Sequence, residues 1–186
     1  MTSTARDEIV EAAFRLFLER GYEATSLARI LDVVPYSKGA VYHHFANKDA
    51  LLDAVIERFF TALVTAESDP LPPHADAHAV AHRMVDEYVD TIEALASFAT
   101  PLAYHAFLTS VAPRAQAAIR AAHDLVIAHL ADGLTGHADS EAAARVLASD
   151  LVALVEGAGM LAALRGDPLD RAALHAAVDR ALSARS

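Results

Sequence analysis

The chain of 186 residues is 54% hydrophobic and contains no cysteine, which excludes a disordered tail, a disulfide framework and a thiolate zinc site. The formal net charge of −10 argues against a protein coated in basic surface for indiscriminate nucleic-acid binding and does not exclude a local DNA-binding face. The N-terminus lacks the apolar run of a signal peptide, and no segment approaches the roughly 18 uninterrupted apolar residues of a membrane span, so we expect a cytoplasmic protein with no membrane partner.

The first two predicted helices follow from apolar spacing and from capping residues. Apolar residues recur at helical spacing between residues 7 and 20, and Gly21 stands where a left-handed C-cap is expected. Thr25 or Ser26 can cap a short second helix. That helix must stop before Pro35, because proline lacks the amide hydrogen that a helix interior needs.

Two more helices are predicted after Pro35. Ser37 can cap a third helix over "KGAVYHHF", and Asn47 a fourth that runs from Lys48 towards Glu67 before the "SDPLPPH" run at 68–74 ends it. Two short helices separated by a turn of about three residues and backed by a longer one are typical of a helix-turn-helix. The second short helix of that motif lies in the major groove of DNA.

The third helix can present a polar surface to DNA. Val41 and Phe45 lie one turn apart and are expected to face the first helix together with Tyr36. Gly39 would let the helix backbone come close to the DNA. The residues left on the exposed arc are Ser37, Lys38, Ala40, Tyr42, His43 and His44. The spacing alone is equally compatible with a surface helix that carries ordinary polar residues.

Residues 4–52, "TARDEIVEAAFRLFLERGYEATSLARILDVVPYSKGAVYHHFANKDALL", resemble the DNA-binding region of the TetR family of transcriptional regulators without insertion or deletion. The chain departs from the family pattern at Pro35, where glycine is usual, and at Tyr36, where valine is usual. Both departures bear on the geometry of the turn. The agreeing positions are Ala12, Ala13, Leu16, Phe17, Gly21, Tyr22, Thr25, Ser26, Ile30, Ser37, Gly39, Tyr42, Phe45, Lys48 and Leu51.

The resemblance implies an all-α homodimer. An N-terminal three-helix helix-turn-helix domain, residues 1–50, would be joined by a fourth helix to a C-terminal helical domain, residues 51–186, that binds a small effector and dimerises. It also implies roles at individual positions: Thr25 and Ser26 touch phosphates, Ser37, Lys38, Gly39 and Ala40 lie over base edges, and Tyr42, His43 and Lys48 hold the DNA backbone, with His44 as a further contact.

The rest of the chain is predicted to be helical as well. The predicted segments are 75–98, a shorter helix around "LAYHAFLTS" (102–110) after Pro101, and the segments 113–134, 140–166 and 168–184. The helices near 140–165 and 170–183 suit a four-helix dimer interface, because the first of them is apolar over two adjacent stripes. Those stripes are Leu147, Leu151, Leu154, Ala158 and Leu161, and Ala148, Val152, Val155, Gly159 and Ala162. The alternative is that both stripes serve the core of the single chain.

Two motifs suggest ligands that the context does not support. "GAGMLA" at 157–162, followed by Asp179, matches a relaxed dinucleotide-binding fingerprint, but no strand precedes it, so the glycines are interpreted as small residues that permit close helix contact. His74, His78 and His82 recur every four residues and could hold a metal along one helix face. No further ligand is placed for it at helical spacing, so a solvated face is favoured and neither metal nor cofactor is predicted.

An effector cavity with mostly apolar walls and a few polar groups is predicted in the C-terminal part. Because the sequence beyond residue 60 carries most of the negative charge, the effector is expected to be hydrophobic and neutral or cationic. The candidate lining residues, each of which could equally be plain core, are Tyr88, Phe98, Tyr104, His105, Phe107 and Met160.

The sequence therefore predicts a ligand-responsive, DNA-binding transcriptional regulator, specifically a repressor that a small effector releases from a pseudo-palindromic operator. One alternative is a helical enzyme on the same fold, with Glu156 or His105 in acid–base chemistry. Another is a dimeric small-molecule binding protein that does not touch DNA. The intact Ser37-Lys38-Gly39 and Tyr42 favour the regulator over both.

Overall fold

The fold of the chain is all-α, as predicted. The structure, a computed structural model, describes residues 4–65 and 76–184, with side chains for 4–59 and 76–184. Within these ranges there are eight α-helices, a 3-10 helix at Thr135–His137 and no strand. The helices are α1 (Ala5–Arg20), α2 (Leu27–Leu31), α3 (Lys38–His44), α4 (Lys48–Thr65), α5 (Ala77–Leu95), α6 (Pro101–Leu134), α7 (Glu141–Arg165) and α8 (Arg171–Ser183).

Local capping sets the ends of the N-terminal helices. Thr4 and Asp7 form a capping box at the start of α1, and Gly21 ends that helix with a positive φ of 84°, a conformation that favours glycine. Ser26 accepts a hydrogen bond from the Arg29 amide at 3.2 Å and caps α2. The caps at Gly21 and Ser26 lie where the sequence predicts them, but Gly21, with ψ 155°, does not adopt the predicted left-handed helical conformation. The "SDPLPPH" run and His74 lie outside the described residues.

The turn between α2 and α3 is longer than predicted. It covers residues 32–37 rather than about three residues, because α2 ends at Leu31 and α3 begins only at Lys38. Ser37 caps α3 by accepting from the Ala40 amide at 3.2 Å, as predicted. Pro35 lies inside the turn, where its missing amide hydrogen costs no helical bond.

The predicted break at Pro113 is wrong. Residues 102–110 and 113–134 belong to one helix, α6, which runs through Pro113. Pro113 is exposed, whereas Phe107, Val111 and Ala115 are buried, so the helix keeps one continuous apolar face through this point. Proline can begin a helix but can also lie inside one, and here burial of that face outweighs the lost backbone bond.

The chain packs as two compact units. The first consists of Met1–Thr65 and Phe98–Ala122, and the second of Ala66–Ser97 and His123–Ser186, so α6 contributes residues to both. In the first unit α1 packs on α2, α3 and α4, with Phe17 fully buried. In the second unit α5 packs on α7 and α8. The functional division into residues 1–50 and 51–186 stays a prediction.

The two predicted stripes of α7 are mostly buried within the second unit itself. Leu147, Leu151 and Val155 belong to its core, whereas Leu161 is 55% exposed. Most of both stripes therefore serves the single chain, as in the alternative interpretation. Several apolar residues are nevertheless exposed along one side of α7, which also carries the exposed Asp150, and we call them the exposed line of α7; they are Val146, Ala153, Gly157, Leu161 (also in the first predicted stripe) and Leu164.

α7 is long and apolar enough, by length and composition alone, to cross a membrane, and among the described residues it is the one helix that is. Its Ala144, Leu147 and Leu151 pack into the core of the second unit. Core helices of soluble proteins meet the same length and composition criterion, so the apolar character of α7 follows from packing on one side and leaves the exposed line on the other.

Candidate nucleic-acid interface

Burial on one side of α3 fixes which side faces outward. Val41 is fully buried and Phe45 is 3% exposed, and the Arg6 guanidinium lies 5.6 Å from the centroid of the Phe45 ring. Both predicted inward positions are therefore confirmed. Because these two residues anchor the helix on α1, the opposite side of α3 is presented to solvent.

The outward side of α3 carries the predicted polar residues together. Lys38, Gly39, Tyr42, His43 and His44 are exposed. The Lys38 ammonium lies 5.6 Å from the centroid of the Tyr42 ring, and Tyr42 is 44% exposed. A cation over an aromatic face gains favourable electrostatic energy, so this contact fixes a charge and a phenol on one surface. Both groups can donate to phosphate oxygens or to base edges.

The backbone of α3 is open at Gly39. A Cβ atom added there would meet only the Ser37 hydroxyl, at 3.9 Å. No packing within the described chain therefore requires a glycine at this position. The opening instead leaves room for another molecule to approach the helix backbone closely.

The turn before α3 is tied to α1 by a side-chain hydrogen bond. The Tyr36 hydroxyl donates to Glu8 at 2.6 Å, and this bond is the main cause that raises the pKa of Tyr36. Because the Tyr36 ring is half-buried and its hydroxyl is bonded to Glu8, this residue holds the turn both by packing and by the hydrogen bond. Glu8 lies far away in sequence, which is why the residue pattern did not reveal the pair.

The two residues at the start of α2 have different environments. Thr25 is fully buried, and its hydroxyl donates to the carbonyls of Leu16 at 3.2 Å and Gly21 at 2.9 Å. Ser26 is exposed. Of the predicted pair of phosphate contacts, only Ser26 presents its hydroxyl to solvent, and Thr25 holds the end of α1 to the start of α2.

Lys48, the first residue of α4, is held by Tyr22. Its ammonium donates to the Tyr22 carbonyl at 3.0 Å and lies 4.0 Å from the centroid of the Tyr22 ring. The Tyr22 hydroxyl in turn donates to Asp49. Burial and the bond to Asp49 raise the pKa of Tyr22 to about 12, so the phenol is neutral at pH 7. One bond to a carbonyl leaves the ammonium two further donors.

Four of the candidate effector residues lie in the first unit. Tyr104, His105 and Phe107 are buried on α6. Phe14 of α1 brings two of the four together, since its ring centroid lies 5.9 Å from that of Phe107 and 6.2 Å from that of Phe98. The cluster is a packed aromatic core, which agrees with the plain-core alternative as well as with a cavity wall.

The other two candidates, Tyr88 and Met160, lie in the second unit. The Tyr88 hydroxyl is buried and has no hydrogen-bond partner among the described residues. Burial, with a smaller contribution from Glu156, raises the pKa of Tyr88 to about 12. The ring packs directly on α7, because a Cβ added at Gly159 would come within 1.9 Å of this hydroxyl oxygen. The prediction that the glycines permit close helix contact is thus confirmed at Gly159 but not at Gly157, which is exposed and where an added Cβ would meet nothing within 4 Å.

The predicted histidine face of α5 is engaged with α8 instead of being solvated throughout. His82 and His175 stack with ring centroids 4.1 Å apart. The Nε2 of His82 lies 2.8 Å from Asp179, and that of His175 lies 3.0 Å from Asp86. Each helix thus carries a histidine four residues before an aspartate, and the pairs cross between helices. The sequence signal was present in "HRMVD" and "HAAVD".

His78 lies at the edge of this crossed pair, with its Nε2 3.9 Å from Asp179. Over the described ranges 4–65 and 76–184, no group of three or more His, Cys, Asp or Glu side chains is arranged to hold a metal ion. Glu156, named for the enzyme alternative, is paired with His123 at 2.8 Å.

The capped short helices and the exposed polar side of α3 define the chain as a helix-turn-helix protein. The family model described as bacterial regulatory proteins, tetR family, matches residues 9–55. The chain is also similar over nearly its whole length to the HTH-type transcriptional regulator BetI of Burkholderia mallei. The two are 31% identical over 185 residues, which cover 96% of this chain and 92% of BetI. The chain belongs to the TetR family of bacterial regulatory proteins.

Other similarities cover less of the sequence or establish the fold alone. The HTH-type transcriptional repressor KstR2 of Rhodococcus jostii is 29% identical over 92 residues, which are 50% of this chain but only 45% of KstR2, so less than half of that protein is matched. The fatty acid degradation regulator FadR from Bacillus halodurans has a TM-score of 0.75 with 16% identity and covers 98% of this chain and 96% of its own. A TetR transcriptional regulator from Legionella pneumophila has a TM-score of 0.72 at 20% identity.

Proposed function

We propose that this protein is a ligand-responsive transcriptional regulator that binds a pseudo-palindromic DNA operator through α3 and represses until an effector releases it. The observation that carries the proposal is the outward side of α3, where Lys38 and Tyr42 are exposed beside the open backbone at Gly39. An exposed helix with a charge, a phenol and an open backbone matches what major-groove binding requires. The matches to repressors such as KstR2 support the same role.

Contacts to the DNA backbone are assigned to residues that flank α3. Ser26 and the Lys48 ammonium are the exposed or partly exposed donors at the starts of α2 and α4. Tyr42 and His43 supply donors from α3 itself, with His44 beside them. Phosphate contacts of this kind fix the register of a protein on the duplex, while Ser37, Lys38, Gly39 and Ala40 read the bases.

The functional unit is a homodimer that forms through α7 and α8. Val146, Leu161 and Leu164 on the exposed line of α7 are 54%, 55% and 64% exposed, which is unusual for large apolar residues on one helix face. α8 exposes Ala172 and Ala176, whose small side chains allow another helix to approach closely. A two-fold dimer presents two copies of α3, which is why the operator is expected to be pseudo-palindromic.

The effector is a small, largely hydrophobic molecule, neutral or cationic, that binds the helical part of the chain beyond the helix-turn-helix. The buried hydroxyl of Tyr88, with no partner among the described residues, supports this proposal because a ligand oxygen or nitrogen could accept its hydrogen bond. Met160 on α7 is half-buried and belongs to the same unit. The aromatic group of Phe98, Tyr104 and Phe107, with His105, is the second candidate region.

A non-DNA function, as an enzyme or as a binding protein, has less support. Glu156 is held by His123 in an exposed pair, so it is not a carboxylate set in a dry cleft for acid–base work. The exposed Lys38 and Tyr42 beside the open backbone at Gly39 favour DNA binding over a binding protein without DNA. A regulator of transcription acts where bacterial DNA is, so a cytoplasmic location without a membrane partner follows from the same proposal.

Selection of DNA fragments by the purified protein tests the proposal. Genomic fragments that the protein retains at moderate salt should share a pseudo-palindromic sequence with half-sites on one face of the duplex. A small molecule that releases the protein must itself bind more weakly to the operator complex by the same factor, because coupling between two ligands is reciprocal. Retention of fragments with no common sequence would favour the non-DNA alternatives.

A further inference from the structure

Within the first unit, the side chain of Arg114 connects α6 to the N-terminal part of α4. Its guanidinium donates through Nε to one oxygen of Asp53 at 2.6 Å and through Nη2 to the other at 2.8 Å. The same Nη2 also reaches the Asp49 carbonyl at 3.4 Å, and Nη1 lies 3.5 Å from the Asp49 carboxylate. The pair is therefore a two-pronged, planar arginine–carboxylate contact with a second carboxylate beside it.

The contact continues from Asp49 to Lys48 through Tyr22. Asp49 accepts a hydrogen bond from the Tyr22 hydroxyl, and Tyr22 holds the Lys48 ammonium with both its carbonyl and its ring. Four side chains thus form one connected series within the first unit, from Arg114 on α6 to the first residue of α4. Lys48 is the member that the proposed function assigns to the DNA backbone.

The charges of this series explain why an arginine is needed. Asp49 and Asp53 lie four residues apart on α4, one turn from each other, next to the lysine proposed to meet a phosphate. Two uncompensated carboxylates at that place would repel the DNA backbone. The Arg114 guanidinium lies within hydrogen-bond distance of both Asp53 oxygens and compensates this charge, and its hydrogen bond is the main cause that lowers the pKa of Asp53.

An exposed ion pair alone contributes little, but this one has geometry that isolated surface pairs lack. Arg114 is 41% exposed and Asp53 57% exposed, so Coulomb attraction by itself is weakened by solvent. The two-pronged contact fixes the angle of the guanidinium as well as its distance. The planar guanidinium is oriented by Asp53 and also contacts Asp49, so it can fix the position of the Asp49 side chain. A point charge such as an ammonium would not fix that geometry.

We propose that Arg114 is a positioning residue for DNA binding, which holds Asp49 so that Tyr22 fixes the Lys48 ammonium at the DNA backbone. The inference rests on the proposed function, because it needs Lys48 to meet a phosphate. Arg114 does not itself touch the DNA. Loss of the fork to Asp53 moves the guanidinium away from Asp49, which loosens Tyr22 and leaves the lysine less well placed.

Operator affinity of Arg114 variants tests the inference. With a duplex that the wild-type protein has selected, Arg114→Met is expected to weaken binding by roughly 3- to 10-fold, within the usual range for residues of one contact network. Arg120→Met is the matched control, since Arg120 lies on the same helix, is exposed and carries the same charge. Arg114→Lys keeps the charge but lacks the fork, so it should also bind less tightly than wild type.

A double substitution separates positioning from a general structural effect. Tyr22→Phe removes the hydroxyl that joins Asp49 to Tyr22, so Arg114→Met should weaken binding much less in that background than in the wild type. Asp53→Asn breaks the same fork from the other side and serves if Arg114→Met does not fold. Thermal melting of each variant confirms that the affinity change is not loss of the folded protein.

Three outcomes would overturn the inference: Arg114→Met binding as tightly as Arg120→Met, Arg114→Lys equal to wild type, or Arg114 and Tyr22 effects that simply add. Failure of the proposed function has a different signature. In that case the wild-type protein itself would bind the selected duplex no better than a shuffled one.

Discussion

Gly39 is the residue at which stability and the proposed DNA binding make opposite demands. An added side chain meets only the Ser37 hydroxyl at 3.9 Å, and glycine costs a helix about 1 kcal/mol relative to alanine. Gly39→Leu should therefore keep or raise the melting temperature while it removes specific DNA binding by blocking close approach of the duplex. Calorimetry and fluorescence anisotropy measure the two effects.

A bulky residue at another open glycine controls for this test. A Cβ at Gly136 meets nothing within 4 Å, and Gly136 lies outside the helix-turn-helix, so Gly136→Leu should leave DNA affinity unchanged. The assignment of α3 as the DNA-reading helix would be wrong if Gly39→Leu bound the selected duplex as tightly as Gly136→Leu.

Gly159 is required for the opposite reason, because it is packed. A Cβ there would lie 1.9 Å from the Tyr88 hydroxyl oxygen and 2.7 Å from the ring carbon that carries it. Gly159→Ala should cost about 1–3 kcal/mol of unfolding free energy, the usual range for overpacking. In a Tyr88→Leu background, which lacks the clashing ring atoms, the same change should stabilise through helix propensity. The measurement is denaturant unfolding of the wild type, the two single variants and the double variant. Equal effects of Gly159→Ala in both backgrounds would contradict close packing of Tyr88 on Gly159.

At the residue scale, the sequence predicts what depends on near neighbours in the chain. Ser26 and Ser37 cap helices because a hydroxyl reaches an amide three residues later, a relation visible in the sequence. The burial of Thr25 depends on how the start of α2 packs against α1, and the bond between Lys48 and Tyr22 depends on where the end of α1 and the start of α4 meet. No local pattern encodes that meeting, so the predicted roles of these residues needed the structure.

The contact between α4 and α6 gives an element-scale prediction about pH. The pKa values of Asp49 and Asp53 are lowered, chiefly by the hydrogen bonds from Tyr22 and from Arg114 respectively. A lowered pKa in the folded state means that the stabilising contribution is complete above the usual aspartate pKa of 3.8 and is lost as the pH falls through the lowered value.

The stability difference between wild type and Arg114→Met should accordingly be present at pH 7 and shrink towards zero as the pH falls below 3.8. Urea midpoints at a series of pH values provide the measurement. Arg120→Met should differ from wild type by the same small amount at every pH. A constant difference for Arg114→Met down to the lowest pH would mean that its carboxylate partners do not contribute.

Helix boundaries could be predicted from the sequence where one capping signal dominates, but not where a residue is compatible with two different positions in a helix. α7 begins after Ser140 and ends before Gly166 in a left-handed conformation, as capping rules predict. At Pro113 the same residue type is compatible with a helix start and with a helix interior, and only the continuous burial of α6 decides between them. The long turn at residues 32–37 likewise follows from α2 ending early, which spacing did not reveal.

At the scale of the whole molecule, the exposed line of α7 predicts the oligomeric state. Light scattering should give a mass near twice 19.7 kDa, because a partner helix would cover Val146, Leu161 and Leu164, three large apolar residues exposed along one side of α7. Leu161→Lys places a charge in this face and should yield monomers. Leu102→Lys is the matched control, since Leu102 is 47% exposed on α6 and lies off the exposed line. A wild-type monomer at micromolar concentration would contradict the assigned interface.

The sequence predicted the all-α architecture because helical periodicity and caps recur along the chain. It did not separate the α7 residues that pack within the chain from those left exposed, since an apolar residue such as Leu151 has the same pattern whether it packs within one chain or between two. The exposed line, with small Ala153 and Gly157 at its centre, became recognisable only after the buried positions were known.

The central claim is that α3 reads a specific DNA sequence. The most direct measurement is the affinity of the wild-type protein for a duplex that it has selected, compared with a shuffled duplex of the same composition at the same salt concentration. Binding to the selected duplex should be at least about 10³-fold tighter, the lower end of the usual range for specific regulators. Equal affinity for the two duplexes would contradict it.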